Sequence, residues 1–220
     1  MKKIILLVLC LVLGCFSVAG CSDDSEPFKE KSYTADPRTK GITVDARDRQ
    51  IEVSLSGDEQ IHIQYFENNK EYYNISVSDE NLLTMASAAS KEWTDYIGGK
   101  TSAEYRKISL RIPSALLDSL TLSTTNGDIS LPALSVNEKI SLSSNGGNIS
   151  FGSLDTGVSL TLNVKNGNIS GEAAGSYEDY AIRSEIKKGE SNLPGNKDGG
   201  EKTLNVSCNH GNVDISFSGK

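Results

Sequence analysis

Two acidic residues occupy one repeating position of the chain, and acids at a fixed spacing can cleave sugar polymers. The position follows a glycine five times and is held by Asp128, Asn148, Asn168, Glu190 and Asn212. Glycan-cleaving β-helices carry such acids on one sheet, with paired carboxyl groups about 5 to 9.5 Å apart. Stacking in chain order at about 4.8 Å per layer would separate Asp128 and Glu190 by roughly 14 Å. The column therefore predicts a ladder that satisfies turn backbone groups, not a catalytic pair.

Histidine-based chemistry has few residues to draw on. The chain contains two histidines, and His62 alternates with Ile61 and Ile63 as a solvated strand residue would. His210 precedes Gly211 in a turn position. A nitrogen-ligand metal site needs two or three convergent His or Cys groups, and a catalytic triad needs a histidine with a partner on each side. The sequence predicts no catalytic residue, no metal and no cofactor, and hence no enzyme.

The first residues carry an export signal that ends in a cysteine. Lys2 and Lys3 precede an apolar run that ends at Ala19, which is the pattern of a signal peptide. The run ends in Val18-Ala19-Gly20-Cys21 and resembles the bacterial lipobox, in which the cysteine is acylated. This resemblance implies a signal peptide over 1–20 and a lipoprotein whose Cys21 carries acyl chains such as palmitate on the extracytoplasmic side of the cell membrane. An uncleaved membrane helix is the alternative, but the run is shorter than the roughly 20 apolar residues that a crossing needs.

Charge and the remaining cysteine restrict the partners further. The net charge is −7 and becomes −9 once Lys2 and Lys3 leave, because no acid precedes Cys21. Such a domain repels nucleic acid, so the predicted membrane link is the acyl chain and not a basic face.

Cys208 is the one thiol outside the N-terminal segment. We predict that it is buried and inert, because burial raises the pKa of a thiol.

Aromatic residues are concentrated in the irregular N-terminal half. Tyr72, Trp93, Tyr96 and Tyr105 lie there, whereas the repeats are rich in Ser, Thr and Asn. Aromatic side chains supply many of the anchors of protein interfaces. We therefore predict that these four residues form the contact surface for an envelope protein or a glycan. The alternative is that they pack in the core or in loops.

Most of the chain reads as short strands. Residues 21–40 are polar, contain Pro27 and Pro37, and predict a flexible tether. From Gly41 onward apolar and polar residues alternate with a period of two. The residues predicted to face the core are Ile42, Val44, Ala46, Ile51, Val53, Leu55, Ile61, Ile63 and Tyr65. Further strands are predicted at 73–78 and 108–112, and residues 79–104 show no clear pattern.

A repeat with a period of 20 residues then sets the architecture. Its aligned columns are Leu120/Ile140/Leu160, Leu122/Leu142/Leu162, Thr124/Ser144/Val164 and Ile129/Ile149/Ile169. The turn glycines Gly127, Gly147, Gly167, Gly189 and Gly211 continue it at intervals of 20 to 22 residues. Fixed periods of this length indicate stacked coils. The sequence thus predicts an all-β, single-domain parallel β-solenoid over 41–220, with 20–22-residue coils and the five glycines in one line down one corner. Asn-Gly turns leave a series of hairpins as the alternative.

These motifs resemble those of a known family of exported bacterial domains. Gly127-Asp128-Ile129, its echoes at Gly147 and Gly167, and the strand from Ile108 to Pro113 are similar to the toast-rack, β-strand-repeat or putative-adhesin domains of unknown function. The resemblance spans about 41–217 and implies a parallel β-solenoid without known catalytic residues.

Taken with the anchor, the motifs predict a non-enzymatic, surface-exposed binding, adhesin-like or scaffolding module at the cell envelope. An envelope-stress or signalling accessory and a polysaccharide-active β-helix enzyme are the alternatives.

Overall fold

The chain folds into two β-sheets that enclose one apolar core. The computed structural model describes residues 26–90, 101–113 and 117–219. Within these ranges helical structure is limited to single 3-10 turns at Ala103–Tyr105 and Tyr177–Asp179. The predicted all-β class is confirmed. Strict alternation of apolar and polar residues produces it, since successive side chains of a strand point to opposite faces.

Sheet A contains nine strands. In spatial order they are β1 (Lys29–Thr34), β4 (His62–Glu67), β7 (Lys107–Ile112), β3 (Gln50–Leu55), β9 (Ile129–Leu131), β12 (Ile149–Thr156), β14 (Ile169–Ala173) and β18 (Val213–Phe217), with β10 (Leu134–Val136) also paired to β12.

Sheet B also contains nine strands. In spatial order they are β16 (Asn196–Lys197), β15 (Tyr180–Lys188), β17 (Lys202–His210), β13 (Ser159–Asn166), β11 (Lys139–Gly146), β8 (Ser119–Thr124), β2 (Gly41–Ala46), β6 (Leu82–Ala89) and β5 (Glu71–Val77).

The repeats form the middle of both sheets and pair in parallel. The chain offset is 20 residues in sheet B, and in sheet A the offset between β12 and β14 changes at a register shift between Ser150 and Ser153. Strands β8, β11 and β13 place Leu120, Ile140 and Leu160 side by side, and all three are fully buried. Sheet A aligns its isoleucine column in the same way, with Ile149 between Ile129 and Ile169. Each repeat therefore contributes strands to both sheets, and the predicted inward columns are confirmed.

The prediction of a single parallel solenoid is not confirmed, because both sheets are mixed. Antiparallel pairs lie at the margins, namely β1 with β4, β4 with β7, β5 with β6 and β15 with β16. The layers also do not follow chain order. Strand β17 pairs with both β13 and β15, so the last coil inserts between two earlier ones. Strand β2 likewise lies between β6 and β8.

The 20-residue period of the sequence does not reveal the spatial order of the layers. All coils present equivalent inward columns and equivalent turns, so the period reports which residues belong to the stack and not which coils are neighbours. Because β17 lies between β13 and β15, this long strand has hydrogen-bonded partners on both sides. If β17 formed the last layer of the stack, one of its sides would be an open edge.

The predicted tether over 21–40 is wrong for Lys29–Thr34. These residues form strand β1, which pairs along its whole length with β4, and Tyr33 packs against the core. An exposed, charged edge strand buries too little to show alternation in the sequence. Residues 1–25, which include Cys21 and the predicted signal peptide, lie outside the described residues.

Two further expectations change in the N-terminal half. Residues 82–89, which showed no pattern, form strand β6 and bury Leu83 and Met85. Leu55 was predicted to face the core but is 47% exposed at the end of β3. The other predicted inward residues of β2, β3 and β4 are buried.

Candidate functional site

The acid and asparagine column forms a hydrogen-bonded ladder along one corner of the stack. Each side-chain Oδ1 accepts the backbone N–H of the equivalent residue in the next layer. The bonds run from Asn148 N to Asp128 at 2.7 Å, Asn168 N to Asn148 at 2.9 Å, Asn212 N to Asn168 at 2.8 Å and Glu190 N to Asn212 at 3.0 Å. The predicted turn ladder is confirmed. Because the Asn212 layer intervenes, Asp128 and Glu190 lie four layers apart, roughly 19 Å.

The glycine line is also confirmed, in the spatial order Gly127, Gly147, Gly167, Gly211, Gly189. A Cβ atom built on Gly147 would lie 2.1 Å from the carbonyl oxygen of Gly127, and one on Gly189 would lie 1.9 Å from that of Gly211. Neighbouring turns thus approach so closely that no side chain fits between them. Glycine is needed here for close approach of the backbones.

A second ladder caps the turn carbonyls from inside the corner. Thr124 Oγ1 donates to the carbonyl of Arg49 at 2.8 Å, and Ser144 Oγ donates to that of Gly127 at 3.0 Å. The Cys208 thiol approaches the carbonyl oxygens of Gly167 and Gly211 at 3.6 and 3.5 Å. Cys208 is buried, and burial raises the pKa of its thiol. The predicted burial of Cys208 is confirmed.

Val164 occupies the same column and offers no donor, so Val164→Thr should restore a missing rung. We expect the variant to be unchanged or stabilised by up to about 1 kcal/mol, because the hydroxyl can reach the carbonyl of Gly147. Val206→Thr is the matched control, since both valines are 3% exposed but Val206 faces the apolar core. It should cost about 1 to 3 kcal/mol. Urea unfolding followed by circular dichroism measures both, and equal costs would contradict the ladder.

A cleft of about 420 Å³ opens at the end of the stack formed by β5 and β6. We call it the N-terminal cleft. Its walls come from the β2–β3 turn, the start of β5 and the end of β6, with lining residues Arg47, Asp48, Arg49, Glu71, Tyr72, Tyr73, Ser87, Ala88 and Ala89. Tyr72, a predicted contact residue, lies in this wall, with its hydroxyl 3.5 Å from Ser90 Oγ.

An ion pair between Arg49 and Glu71 is buried in the wall of the cleft. The two side chains are 4% and 17% exposed, and Arg49 Nη2 donates to Glu71 Oε2 at 2.6 Å. Arg49 Nη1 donates to the carbonyls of Arg47 and Asp48, each at 3.3 Å, and Thr101 Oγ1 donates to Glu71 Oε1 at 3.1 Å. The pair fastens the start of edge strand β5 to the turn of an inner layer.

One donor of this arginine remains without a partner. Arg49 Nε is buried and makes no hydrogen bond in the structure. Burial raises the pKa of the neighbouring Tyr73, and the Arg49 cation partly opposes this shift. The wall of the cleft therefore combines the Arg49 guanidinium with the phenol side chains of Tyr72 and Tyr73. Such donors suit an acceptor group, for example a carbonyl or carboxylate of a partner.

Tyr105 lies in a different environment from Tyr72. Its ring stacks on Phe28 at 5.2 Å with an interplanar angle of 12°, and it contacts Phe66 at 5.5 Å. The structure therefore uses Tyr105 to pack the segment before β1 onto β4. Trp93 and Tyr96 lie outside the described residues. The predicted four-residue surface is thus placed in part, with Tyr72 in the cleft and Tyr105 in an aromatic stack.

The sequence analysis did not single out Arg49, which is one of three consecutive charged residues, Arg47, Asp48 and Arg49. An alignment of the chain with itself at an offset of 78 residues would have identified Arg49. At this offset β2 pairs Ile42 with Leu120, and β3 pairs Ile51 with Ile129. In that alignment Arg49 takes the place of Gly127. A Cβ on Gly127 would lie 2.3 Å from the Arg49 carbonyl oxygen, which confirms that the two positions stack.

In the part of the chain that the structure describes, no group of three His, Cys, Asp or Glu side chains is placed to hold a metal ion. No helix in the same ranges is long and apolar enough to cross a membrane.

The stacked sheets and the two corner ladders define a class of two-sheet, all-β repeat domains. Residues 39–218 match the family described as Toastrack DUF4097, so the chain belongs to that family. The resemblance found in the sequence is thereby confirmed. No curated protein matches the chain.

Solved structures of three other proteins are similar to this chain at low sequence identity. A putative cell adhesion protein from Clostridium sporogenes is 14% identical with a TM-score of 0.57, over 87% of this chain and 100% of that one. A putative adhesin from Bacteroides fragilis is 16% identical with a TM-score of 0.43, over 86% and 97%. A putative lipid binding protein from Parabacteroides distasonis is 13% identical with a TM-score of 0.35, over 88% and 95%. The likeness to the Clostridium sporogenes protein, at a TM-score of 0.57 and 14% identity, shows a shared fold but not a shared function.

Proposed function

We propose that this protein is a non-enzymatic binding module, adhesin-like or scaffolding, held on the extracytoplasmic side of the cell membrane by lipid on Cys21. The observation that carries the binding function is the N-terminal cleft, whose wall contains Tyr72 together with Arg49, an arginine with one buried donor that has no partner. A polar donor that is buried and unbonded costs free energy in the unbound protein. A partner that supplies an acceptor there would recover that cost.

The corner ladder is a less suitable binding surface than the N-terminal cleft. Along the corner, the side-chain Oδ1 atoms of Asp128, Asn148, Asn168 and Asn212 already accept backbone N–H groups. Groups that are engaged within the fold have less to offer a partner. Tyrosine and arginine, in contrast, are the residue types that dominate binding energy at interfaces, and the cleft contains both.

The fold relative supports this proposal only as an analogy. The Clostridium sporogenes protein is named a putative cell adhesion protein, and fold alone does not fix function. The alternative of a glycan-cleaving enzyme loses its geometric basis, because Asp128 and Glu190 are roughly 19 Å apart by layer spacing and paired carboxyl groups act within about 9.5 Å.

A photocrosslinking experiment tests the binding function. The full chain carries benzoylphenylalanine at Tyr72 in one variant and at Tyr177, which is 39% exposed near the opposite end of the stack, in the matched control. On irradiated cell envelopes we expect a discrete adduct from position 72 and none from position 177. Adducts from 177 alone, or turnover of a cell-wall glycan that Asp128→Asn abolishes, would overturn the proposal.

The anchor is tested separately by Cys21→Ser. We expect the unchanged chain to fractionate with membranes and to show a diacyl or triacyl mass on Cys21, because only the thiol can carry the thioether-linked lipid. The variant should lose that mass and leave the membrane fraction. A variant that stays membrane-bound and matures normally would contradict the lipid anchor without affecting the binding test.

A further inference from the structure

The two sheets have four edges in the described structure, and three of them are blunted. Open strand edges invite pairing with another chain unless charges, short strands or covering groups protect them. Edge strand β1 begins with the exposed charged residues Lys29, Glu30 and Lys31. Edge strand β16 has only two residues.

The edge at β18 is covered by the segment that precedes β16. Val213 N donates to the Glu190 carbonyl at 2.8 Å, and Asn192 N donates to the Val213 carbonyl at 3.3 Å. The Asn192 side chain then acts like a further peptide group. It accepts from Ile215 N at 3.0 Å and donates to the Ile215 carbonyl at 2.9 Å.

Within the described ranges, the fourth edge, strand β5, lacks such protection from Tyr73 to Val77. It has seven residues, and no charged side chain occurs from Tyr72 to Ser78. Among the described strands, β5 pairs only with β6.

The register of this pair shows which backbone groups face outward. Ser90 N donates to the Lys70 carbonyl and Ser78 N donates to the Leu82 carbonyl, each at 3.0 Å, so the even-numbered residues of β5 form the hydrogen-bonded pairs. Hydrogen-bonded and non-hydrogen-bonded pairs alternate in an antiparallel ladder. The N–H and C=O groups of Tyr73, Ile75 and Val77 therefore point away from β6.

An apolar stripe accompanies these outward groups. Tyr73, Ile75 and Val77 share one face of β5, and their burial decreases along the strand. Tyr73 is buried, Ile75 packs partly against the core, and Val77 is 40% exposed. An added strand with apolar residues at alternate positions would cover Ile75 and Val77 while its backbone bonds to the free edge. We call the outward backbone groups and this stripe the β5 edge.

Charge distinguishes between the possible occupants. If a second copy paired antiparallel about Ile75, Glu71 would lie opposite Asp79 of the other copy, and like charges directly opposite each other destabilise a pair. Asp79 and Glu80 follow β5 as exposed acids, and the protein as a whole is acidic. The complementary occupant is a segment with lysine or arginine next to its apolar alternation.

We propose that the β5 edge is a strand-addition site that takes an extended, alternately apolar segment of a partner protein, with basic residues lying against Asp79 and Glu80. The proposal rests on the binding function given above and names the partner's chemistry. Strand addition draws affinity from main-chain hydrogen bonds and specificity from alternate side chains. The N-terminal cleft adjoins the start of β5, so one partner can occupy both.

Fluorescence anisotropy with the full chain in detergent tests the site. The probe is a fluorescein-labelled peptide that alternates threonine and valine and ends in two lysines. We expect Ile75→Pro to weaken binding about tenfold or more, because proline removes an outward N–H that β6 does not use. Ile75→Val is the matched control and should bind as the unchanged chain does. Asp79→Asn with Glu80→Gln should weaken binding and reduce its salt dependence.

A second peptide probe tests the same hydrogen bonds without the Ile75→Pro variant, so the result does not depend on whether that variant folds. N-methylation of alternate peptide amides should abolish binding to the unchanged chain, since it deletes the donors that strand pairing needs. Absence of peptide binding, or equal binding of the methylated probe, would overturn the strand-addition site. Self-association that Ile75→Pro abolishes would also overturn it, in favour of a second copy. The crosslink from position 72 is a separate readout, so failure of the edge and failure of the binding function can be told apart.

Discussion

Gly167→Ala should lower the free energy of unfolding of the full chain by at least about 3 kcal/mol, the upper range for overpacking. Gly167 has a φ of +148°, and an added Cβ would lie 2.2 Å from the carbonyl oxygen of Gly147. Real Cβ atoms do not approach a backbone so closely. Relief requires the central layers to separate, and this disturbs the Asn148–Asn168 rung of the corner ladder.

Gly57→Ala is the control for the same chemical change. A Cβ on Gly57 meets no atom within 4 Å, and surface substitutions of this kind usually change stability by less than about 0.5 kcal/mol. Guanidinium unfolding followed by far-ultraviolet circular dichroism compares the two variants. A Gly167→Ala protein as stable as Gly57→Ala would show that the turns do not stack as closely as the structure places them.

The repeat core could be predicted from the sequence because its signals are local and repeated. Alternation with a period of two identified the inward residues, and the 20-residue period identified Leu120, Ile140 and Leu160 as neighbours, which the register confirms. The Asn column was also interpreted correctly. Its side chains are long enough to reach the backbone of the next layer. The two acids of the column, Asp128 and Glu190, are too far apart in the stack to act as a catalytic pair.

The order of the layers could not be predicted in the same way. The coil that contains Gly211 lies between those of Gly167 and Gly189, although the chain spaces all three by 22 residues. Equal spacing carries no information about which edge a coil joins. Edge strands such as β1 escaped prediction for a related reason, since a strand with one wet face and one open side buries few apolar residues.

The candidate site escaped prediction because it depends on an exception to the repeat. Arg49 stands where later layers have glycine, and its long side chain turns back to Glu71, which is 22 residues away in the chain. No local pattern links the two residues. The pair forms only because the β2–β3 layer and edge strand β5 meet at the same end of the stack.

Arg49→Met should lower the free energy of unfolding by about 3 to 5 kcal/mol, the cost of leaving one member of a buried ion pair without the other. The two side chains are 4% and 17% exposed, so water can solvate the Glu71 carboxylate only in part. We also expect faster amide hydrogen exchange along β5, because the pair fastens the start of that strand. Denaturant unfolding and hydrogen exchange of the full chain measure the two effects.

The double variant Arg49→Met/Glu71→Leu separates the ion pair from simple loss of side-chain packing. Replacement of both charges by apolar groups is often neutral or stabilising, so the double variant should be more stable than Arg49→Met alone. If the pair acts only through the packing of the arginine stem, the second substitution would recover nothing. Recovery of stability together with loss of the crosslink from position 72 would indicate that the arginine is retained for partner binding. A natural chain could otherwise have placed glycine there, as its later layers do at Gly127 and Gly147.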